Sequence, residues 1–230
     1  MMTTTTPTSS RYTRPLRLLR PPGVYAPQHD TRLLLNALHH ENIGRGAELL
    51  DVGTGTGALA LHAARLGARV TAVDVSWRAV LTARLNARLS GHQVRVRRGT
   101  IASFPGHGWD IVISNPPYVP SPDASLPTRG AARSWDAGHD GRAVLDSVCD
   151  GAAASLRPGG VLLLVHSGLC GTGATLRRLR RAGMRAEVSE RTFVPYGPVL
   201  QSRAGWLRET RLVTGTQQRE ELVVIRAERA

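Results

Sequence analysis

Apolar and polar positions fall into short runs of two periods, and together they predict alternating strands and helices. Between Thr31 and His40, Leu34, Leu35 and Leu38 return at helical spacing and predict a helix. AELLDV (47–52) is a short apolar strand that runs straight into a glycine-rich turn. Residues 58–66 predict a helix closed by Gly67, a residue suited to the left-handed conformation after a helix end. ARVTAVDV (68–75) gives the second strand, and Ser76 stands where an N-cap would begin a helix running to Leu89 and Gly91. QVRVRR (93–98) alternates as a half-exposed strand does, whereas WDIVIS (109–114) is apolar and β-branched, as a buried one is.

Residues 115–138 form a long loop rich in Pro, Gly and Ser, of a kind that more often carries function than not. A helix is expected over 141–156, stopped by Pro158 and the glycines, followed by the strand GGVLLLVH (159–166). Another helix (172–182) and two β-rich stretches, near 185–193 and 221–227, close the chain with no clear helix between that pair. The alternation implies one α/β domain with a mostly parallel sheet, helices on both faces and antiparallel strands at one edge. Residues 1–22, polar and Arg-rich, read as a flexible extension, and 23–230 as the domain.

Composition narrows the classes. The 230 residues suit one domain, and no apolar run reaches the roughly 18 residues of a membrane span. The N-terminus lacks the apolar stretch of a signal peptide, and Cys149 and Cys170 stand in no metal-ligand spacing, so a cytoplasmic setting is expected. The formal charge is +13, and every basic residue is Arg. That charge suits an anionic partner such as RNA or the ribosome, but a compositional bias toward Arg, Ala and Gly gives it equally well. The one local cluster, Arg11, Arg14, Arg17 and Arg20, reads first as a solvated arm and second as a phosphate-contacting one.

Candidate chemistry sits at two strand ends. Asp51-Val52-Gly53-Thr54-Gly55-Thr56-Gly57 lies between a strand and a helix, where glycines bring backbone N–H groups close to a ligand. Asp74 ends the next strand, placed to accept ribose hydroxyls. This pattern also satisfies a dinucleotide fingerprint, so the turn alone leaves the cofactor open. Asn115-Pro116-Pro117-Tyr118 follows the buried strand directly. Two prolines stiffen the backbone and remove two donors, so the Asn115 carboxamide oxygen and the Pro116 carbonyl can accept both hydrogens of a planar –NH₂ group. Tyr118 can pack against a flat substrate. An amide or aromatic amine held in this way turns its weak lone pair toward a sulfonium methyl, and catalysis is mainly positioning.

At these residues the chain resembles the HemK-type glutamine N5-methyltransferases that modify translation release factors. Val24-Tyr25-x-Pro27-x-x-Asp30-Thr31 and Ser134-Trp135-Asp136-Ala137-Gly138-His139-Asp140-Gly141-Arg142 are similar to the short branch, which lacks the N-terminal helical domain. The resemblance implies the class I S-adenosylmethionine-dependent methyltransferase (Rossmann-like) fold, with seven strands and an antiparallel edge strand. It implies that Thr31, Asp51, Gly53, Asp74, Val75 and Asn115 line an S-adenosylmethionine site together with Thr54, Gly55 and Gly57 of the turn. Thr100 and Ile101 stand where the family has an acid near the adenine amine. Asn115, Pro116 and Tyr118 would be catalytic, and Pro117, Tyr118 and Trp135 would meet the substrate. A release factor is the implied protein substrate, and the short branch implies a small zinc-binding activator at an apolar sheet edge.

Other readings remain open. The same loop serves adenine N6 or guanine N2 amines of flipped bases. A nicotinamide oxidoreductase using the glycine turn finds no hydride-transfer group, and a Tyr-x-x-x-Lys pair is excluded by the absence of lysine. An inactive cofactor-binding regulator would not need Asn115.

Overall fold

A computed structural model describes residues 16–41 and 43–230. Arg11 and Arg14 of the basic cluster lie outside the described residues; Arg17 and Arg20 are exposed. Between them, Leu19 is pinned to Asn86 by two hydrogen bonds, donating its N–H to Oδ1 (2.8 Å) and accepting from Nδ2 (3.1 Å).

Seven strands and seven α-helices follow in the expected alternation: α1 (His29–His40), β1 (Glu48–Val52), α2 (Ala58–Arg65), β2 (Arg69–Asp74), α3 (Trp77–Ser90), β3 (Val94–Arg98), β4 (Trp109–Ser114), α4 (Ala143–Ser155), β5 (Leu156–Ser167), α5 (Thr172–Arg181), β6 (Met184–Pro195), α6 (Pro198–Ser202), α7 (Ala204–Glu209) and β7 (Arg219–Arg229). The periodicity of α1, β1 and β4 works because most of their apolar positions are buried. Leu34 and Leu38 of α1 are fully covered, as are Leu49 and Leu50 of β1 and Val112 and Ile113 of β4. Fully burying each such side chain is worth about 1.5–3 kcal/mol. Gly67 takes the left-handed conformation after α2 and Gly91 after α3, as their positions suggested.

The sheet order is β3-β2-β1-β4-β5-β7-β6. β1 through β5 run parallel, while β7 is antiparallel to both β5 and β6. The antiparallel strand therefore sits one place inside the edge, and β6 is outermost. α1, α2 and α3 pack side by side, as do α4 and α5. The chain order reverses between β1 and β4, and a reversal of this kind opens a crevice at the carboxyl ends of the strands.

Three local expectations are corrected. Ser76 precedes α3, but its side chain makes no capping bond; its backbone N–H donates to Asp74 Oδ1 at 2.8 Å. α4 does end ahead of Pro158, at Ser155, but β5 starts at Leu156 and not at Gly159, so Pro158, Gly159 and Gly160 lie within the strand as extra residues between the Trp109–Leu156 and Ile111–Val161 pairs. The stretch between β6 and β7 is helical. α6 starts with Pro198 at its first turn, and α6 and α7 bury Leu200 and Leu207 in a small cluster with Tyr196 and Val213.

Candidate active site

One cavity of about 1220 Å³ runs along the carboxyl ends of the strands. Its size exceeds the range of roughly 300–1,000 Å³ usual for one small ligand, which leaves room for a cofactor and an acceptor together. Of the residues singled out in the sequence, Thr31, Gly53, Thr54, Gly55, Asp74, Val75, Thr100, Ile101, Asn115, Pro116, Pro117, Tyr118 and Trp135 all line it. Asp51 and Gly57 do not.

Those two hold the turn from behind. Asp51 is completely buried, and its Oδ2 accepts from the Thr54 hydroxyl (2.6 Å) and the Ala60 N–H (3.1 Å), which ties the glycine turn to the start of α2. Burial pushes its pKa up to about 7, against the opposing pull of those two bonds. Its Oδ1 is buried with no protein partner. Gly57 has φ +84°, and a Cβ there would come within 3.2 Å of the Ala83 Cβ, so the residue sets how closely α2 approaches α3.

The turn itself hangs on β2: the N–H groups of Gly53 and Thr54 both donate to the Val73 carbonyl, at 2.9 and 3.0 Å. Asp74 faces the cavity from the next strand end. Its Oδ2 accepts from the Gly55 N–H at 3.0 Å and its Oδ1 from Ser76. Burial raises its pKa, opposed by those N–H bonds and by Arg133 across the cavity. Each carboxylate oxygen has a second lone pair, so two hydroxyls could still be accepted. Thr100 stands exposed at the same mouth, its N–H bonded to Ser103 Oγ at 3.2 Å, and Ile101 forms a buried floor.

Asn115 begins the loop after β4. Its Nδ2 reaches the Thr31 hydroxyl at 3.4 Å, so the carboxamide is oriented from α1. Asp30, which was quoted in the sequence pattern but given no role, organises this end. Its Oδ2 accepts from both the Tyr25 hydroxyl (2.6 Å) and the Tyr118 hydroxyl (2.9 Å), while Oδ1 accepts from the Thr31 N–H (2.5 Å). Burial and the neighbouring Asp30 both hold the Tyr25 and Tyr118 phenols well above their ordinary range, so both donate as neutral hydroxyls. Tyr118 thus presents its ring to the cavity while its hydroxyl points back to α1.

The loop is fastened from below as well. Cys170 Sγ donates to the Tyr118 carbonyl at 3.1 Å, and Gly141, at φ +70°, passes so close that a Cβ would lie 2.4 Å from that carbonyl oxygen. Farther along, the Val119 N–H donates to the Trp135 carbonyl (2.7 Å) and Asp136 is gripped by Arg203 at 2.6 Å. Trp135 is half-buried at the cavity rim. Two participants had no signal in the sequence reading: Arg203, between α6 and α7, and Glu220, which opens β7 and lines the cavity.

A glycine turn tied to the neighbouring strand, a carboxylate at that strand's end and a rigid acceptor loop one strand away define a class I S-adenosylmethionine-dependent methyltransferase. The residues lining the cavity fit such a cofactor: the glycine turn would cradle it, and the free lone pairs of Asp74 would accept its hydroxyls. When bound, the cofactor supplies an electrophilic methyl on sulfonium.

The family described as Methyltransferase small domain matches residues 15–127. MJ0928 of Methanocaldococcus jannaschii, a candidate protein N5-glutamine methyltransferase, is 30% identical over 79% of this chain and 91% of its own. The release factor glutamine methyltransferase of Bordetella pertussis is 38% identical over 74% of this chain, which spans 66% of that relative's length. Among solved structures, an E. cuniculi Mtq2–Trm112 complex, described as responsible for methylation of the eRF1 translation termination factor, superposes with a TM-score of 0.64 at 23% identity, covering 90% of this chain and 99% of that one. The chain belongs to the protein glutamine N5-methyltransferase family. Among the described residues no helix is long and apolar enough to cross a membrane.

Proposed function

We propose that the protein transfers a methyl group from S-adenosylmethionine to the side-chain amide nitrogen of a glutamine, in a translation release factor. The observation that carries this reading is the double fastening of the Asn115–Tyr118 loop, through the Tyr118 hydroxyl to Asp30 and through the Tyr118 carbonyl to Cys170, beside the glycine turn. A loop held at both edges keeps the Asn115 oxygen and Pro116 carbonyl fixed as acceptors for one planar –NH₂ group. The nitrogen lone pair is then directed at the methyl, and fixing the near-attack geometry provides most of the rate. In this reading Thr31, Gly53, Thr54, Gly55, Asp74, Val75, Thr100 and Ile101 hold the cofactor, with Asp51 and Gly57 behind them. Asn115, Pro116 and Tyr118 act on the amide, and Pro117 and Trp135 border the acceptor segment. The release-factor substrate is supported by the relatives of that name, and a cytoplasmic setting follows from it.

A small activator, zinc-binding as in the short branch, is the proposed partner. Its support is a row of exposed apolar side chains on α3, Trp77, Leu81, Leu85 and Leu89, one per helical turn, beside the unpaired edge strand β3. Arg95, Arg97 and Arg98 blunt that edge when it is bare.

The test is to incubate the protein with methyl-labelled S-adenosylmethionine and a cell extract, then divide the product between RNase and protease. Label that resists RNase and is lost to protease supports the protein substrate. Label lost to RNase moves the acceptor to a nucleic-acid base.

A further inference from the structure

The cavity extends past Asn115 to a group that the methyl transfer itself does not use. Glu220 is the second residue of β7, and because β7 runs antiparallel its start lies at the carboxyl ends of the other strands. Glu220 lines the cavity and is only 8% exposed, and its Oε2 is buried with no protein partner. The groups facing it are Asp30 from α1, Tyr25 before that helix, Tyr118 from the acceptor loop, Tyr196 after β6, the Ser167 hydroxyl at the end of β5 and the Cys170 thiol just after it. None of them is cationic. Leaving a buried charged acceptor unmatched is costly, so this position favours a ligand that brings an N–H.

Strand order decides which ligand that is. The glycine turn and Asp74 follow β1 and β2, Asn115 follows β4, and Glu220 lies two strands beyond β4 on the far side. With strands about 4.8 Å apart, the start of β7 is roughly 10 Å from the end of β4 where Asn115 stands, in the direction away from the cofactor turn, with Tyr118 of the loop between them. This is too far to share the –NH₂ hydrogens already assigned to Asn115 and Pro116, and close enough to meet the chain that carries them.

We propose that Glu220 is a substrate-binding residue whose Oε2 accepts a hydrogen bond from a backbone or side-chain N–H of the acceptor polypeptide, adjacent to the target amide. The proposal rests on the glutamine reading above and deepens it. With Asp30, Glu220 gives this end of the cavity an acidic wall, selective for uncharged or cationic N–H-bearing segments over those carrying phosphate or carboxylate. Burial pushes its pKa up to about 7, with Ser167 opposing and Asp30 adding to the rise, so its accepting strength falls on acidification below that point.

The experiment measures steady-state methylation of the substrate protein, S-adenosylmethionine affinity by calorimetry, and melting temperature, for wild type and Glu220→Gln. The expected result is an acceptor KM raised about 10- to 100-fold, the range of one hydrogen bond to a charged group. Cofactor affinity and melting temperature should stay near wild type. The wild-type acceptor KM should also rise as pH falls from about 8 to 6, and the variant's should not. An unchanged acceptor KM overturns the proposal. So does a loss confined to cofactor affinity, which would make Glu220 part of the cofactor site, or a parallel fall in every parameter together with the melting temperature, which would make it structural. Wild type that methylates only RNA would instead contradict the glutamine reading, independently of this variant.

Discussion

Arg203 grips Asp136 at 2.6 Å and the Pro120 carbonyl at 2.9 Å, so the junction of two short helices holds down both arms of the acceptor loop. Both partners of the ion pair are largely buried, with side chains 18% and 10% exposed. A buried pair broken on one side leaves an uncompensated charge and costs on the order of 3–5 kcal/mol. Arg203→Ala is therefore expected to lower stability by a few kcal/mol and to raise the acceptor KM, because the Trp135 rim loses its anchor. Denaturant unfolding and steady-state kinetics check both halves. A variant with wild-type acceptor KM would show that the loop keeps its place without Arg203.

Gly141 lies against the Tyr118 carbonyl and the Cys170 thiol. A methyl group at this residue would meet both, at 2.4 and 2.9 Å, on a backbone at φ +70°. Gly141→Ala should cost more than about 1 kcal/mol and displace the acceptor loop. Thermal unfolding gives the first quantity, and the fall in kcat with intact cofactor binding gives the second.

The pH dependence of stability carries the signature of Asp51. Its folded pKa of about 7 lies above the ordinary 3.8, so between those values the folded state binds more protons than the unfolded one. Stability from this group is greatest below pH 4 and is lost as pH rises to about 7. His62 and His166, both lowered by burial to about 4, act in the opposite direction between about pH 4 and 6.5. Asp51→Asn isolates the acidic contribution: its stability relative to wild type should improve as pH is raised from 5 to 8. A difference that stays constant with pH would contradict the assignment.

The apolar row on α3 gives a fourth expectation. Leu81 and Leu85 are exposed by 60% and 46%, so Leu81→Glu with Leu85→Glu should leave fold and cofactor affinity unchanged. The proposed partner should raise the activity and melting temperature of wild type and have no effect on the double variant. An equal response from both would place the partner elsewhere.

What could be read from the sequence depended on the range of the signal. Leu34 and Leu38 announce α1 because helix period and burial coincide, and the Gly53–Gly57 turn announces one end of the cavity because its backbone demands glycine. The Asn115–Tyr118 loop was visible through its two prolines. α6 and α7 were not, since five and six residues with one buried leucine each leave too little periodicity. Pro158-Gly159-Gly160 mark the end of α4, yet they do not delay the strand, which absorbs the three as extra residues opposite β4. Glu220 was silent for a different reason: a glutamate opening a strand reads as solvent-facing, and only the placement of β7 between β5 and β6 turns it into the cavity. Asp30 was visible as a residue but not as a hub, because its two tyrosines come from segments 5 and 88 positions away.

In the proposed reaction the carboxamide of Asn115 presents a glutamine amide for methylation. Its most direct test is tandem mass spectrometry of a translation release factor after incubation with S-adenosylmethionine and either wild type or Asn115→Ala. The expected result is one methyl group on a glutamine side-chain nitrogen with wild type, and a rate lower by about 10²–10³-fold with the variant, the scale of losing one positioned hydrogen-bonding group. Methyl transfer at an undiminished rate by Asn115→Ala, or a methyl group on any other atom, would contradict it.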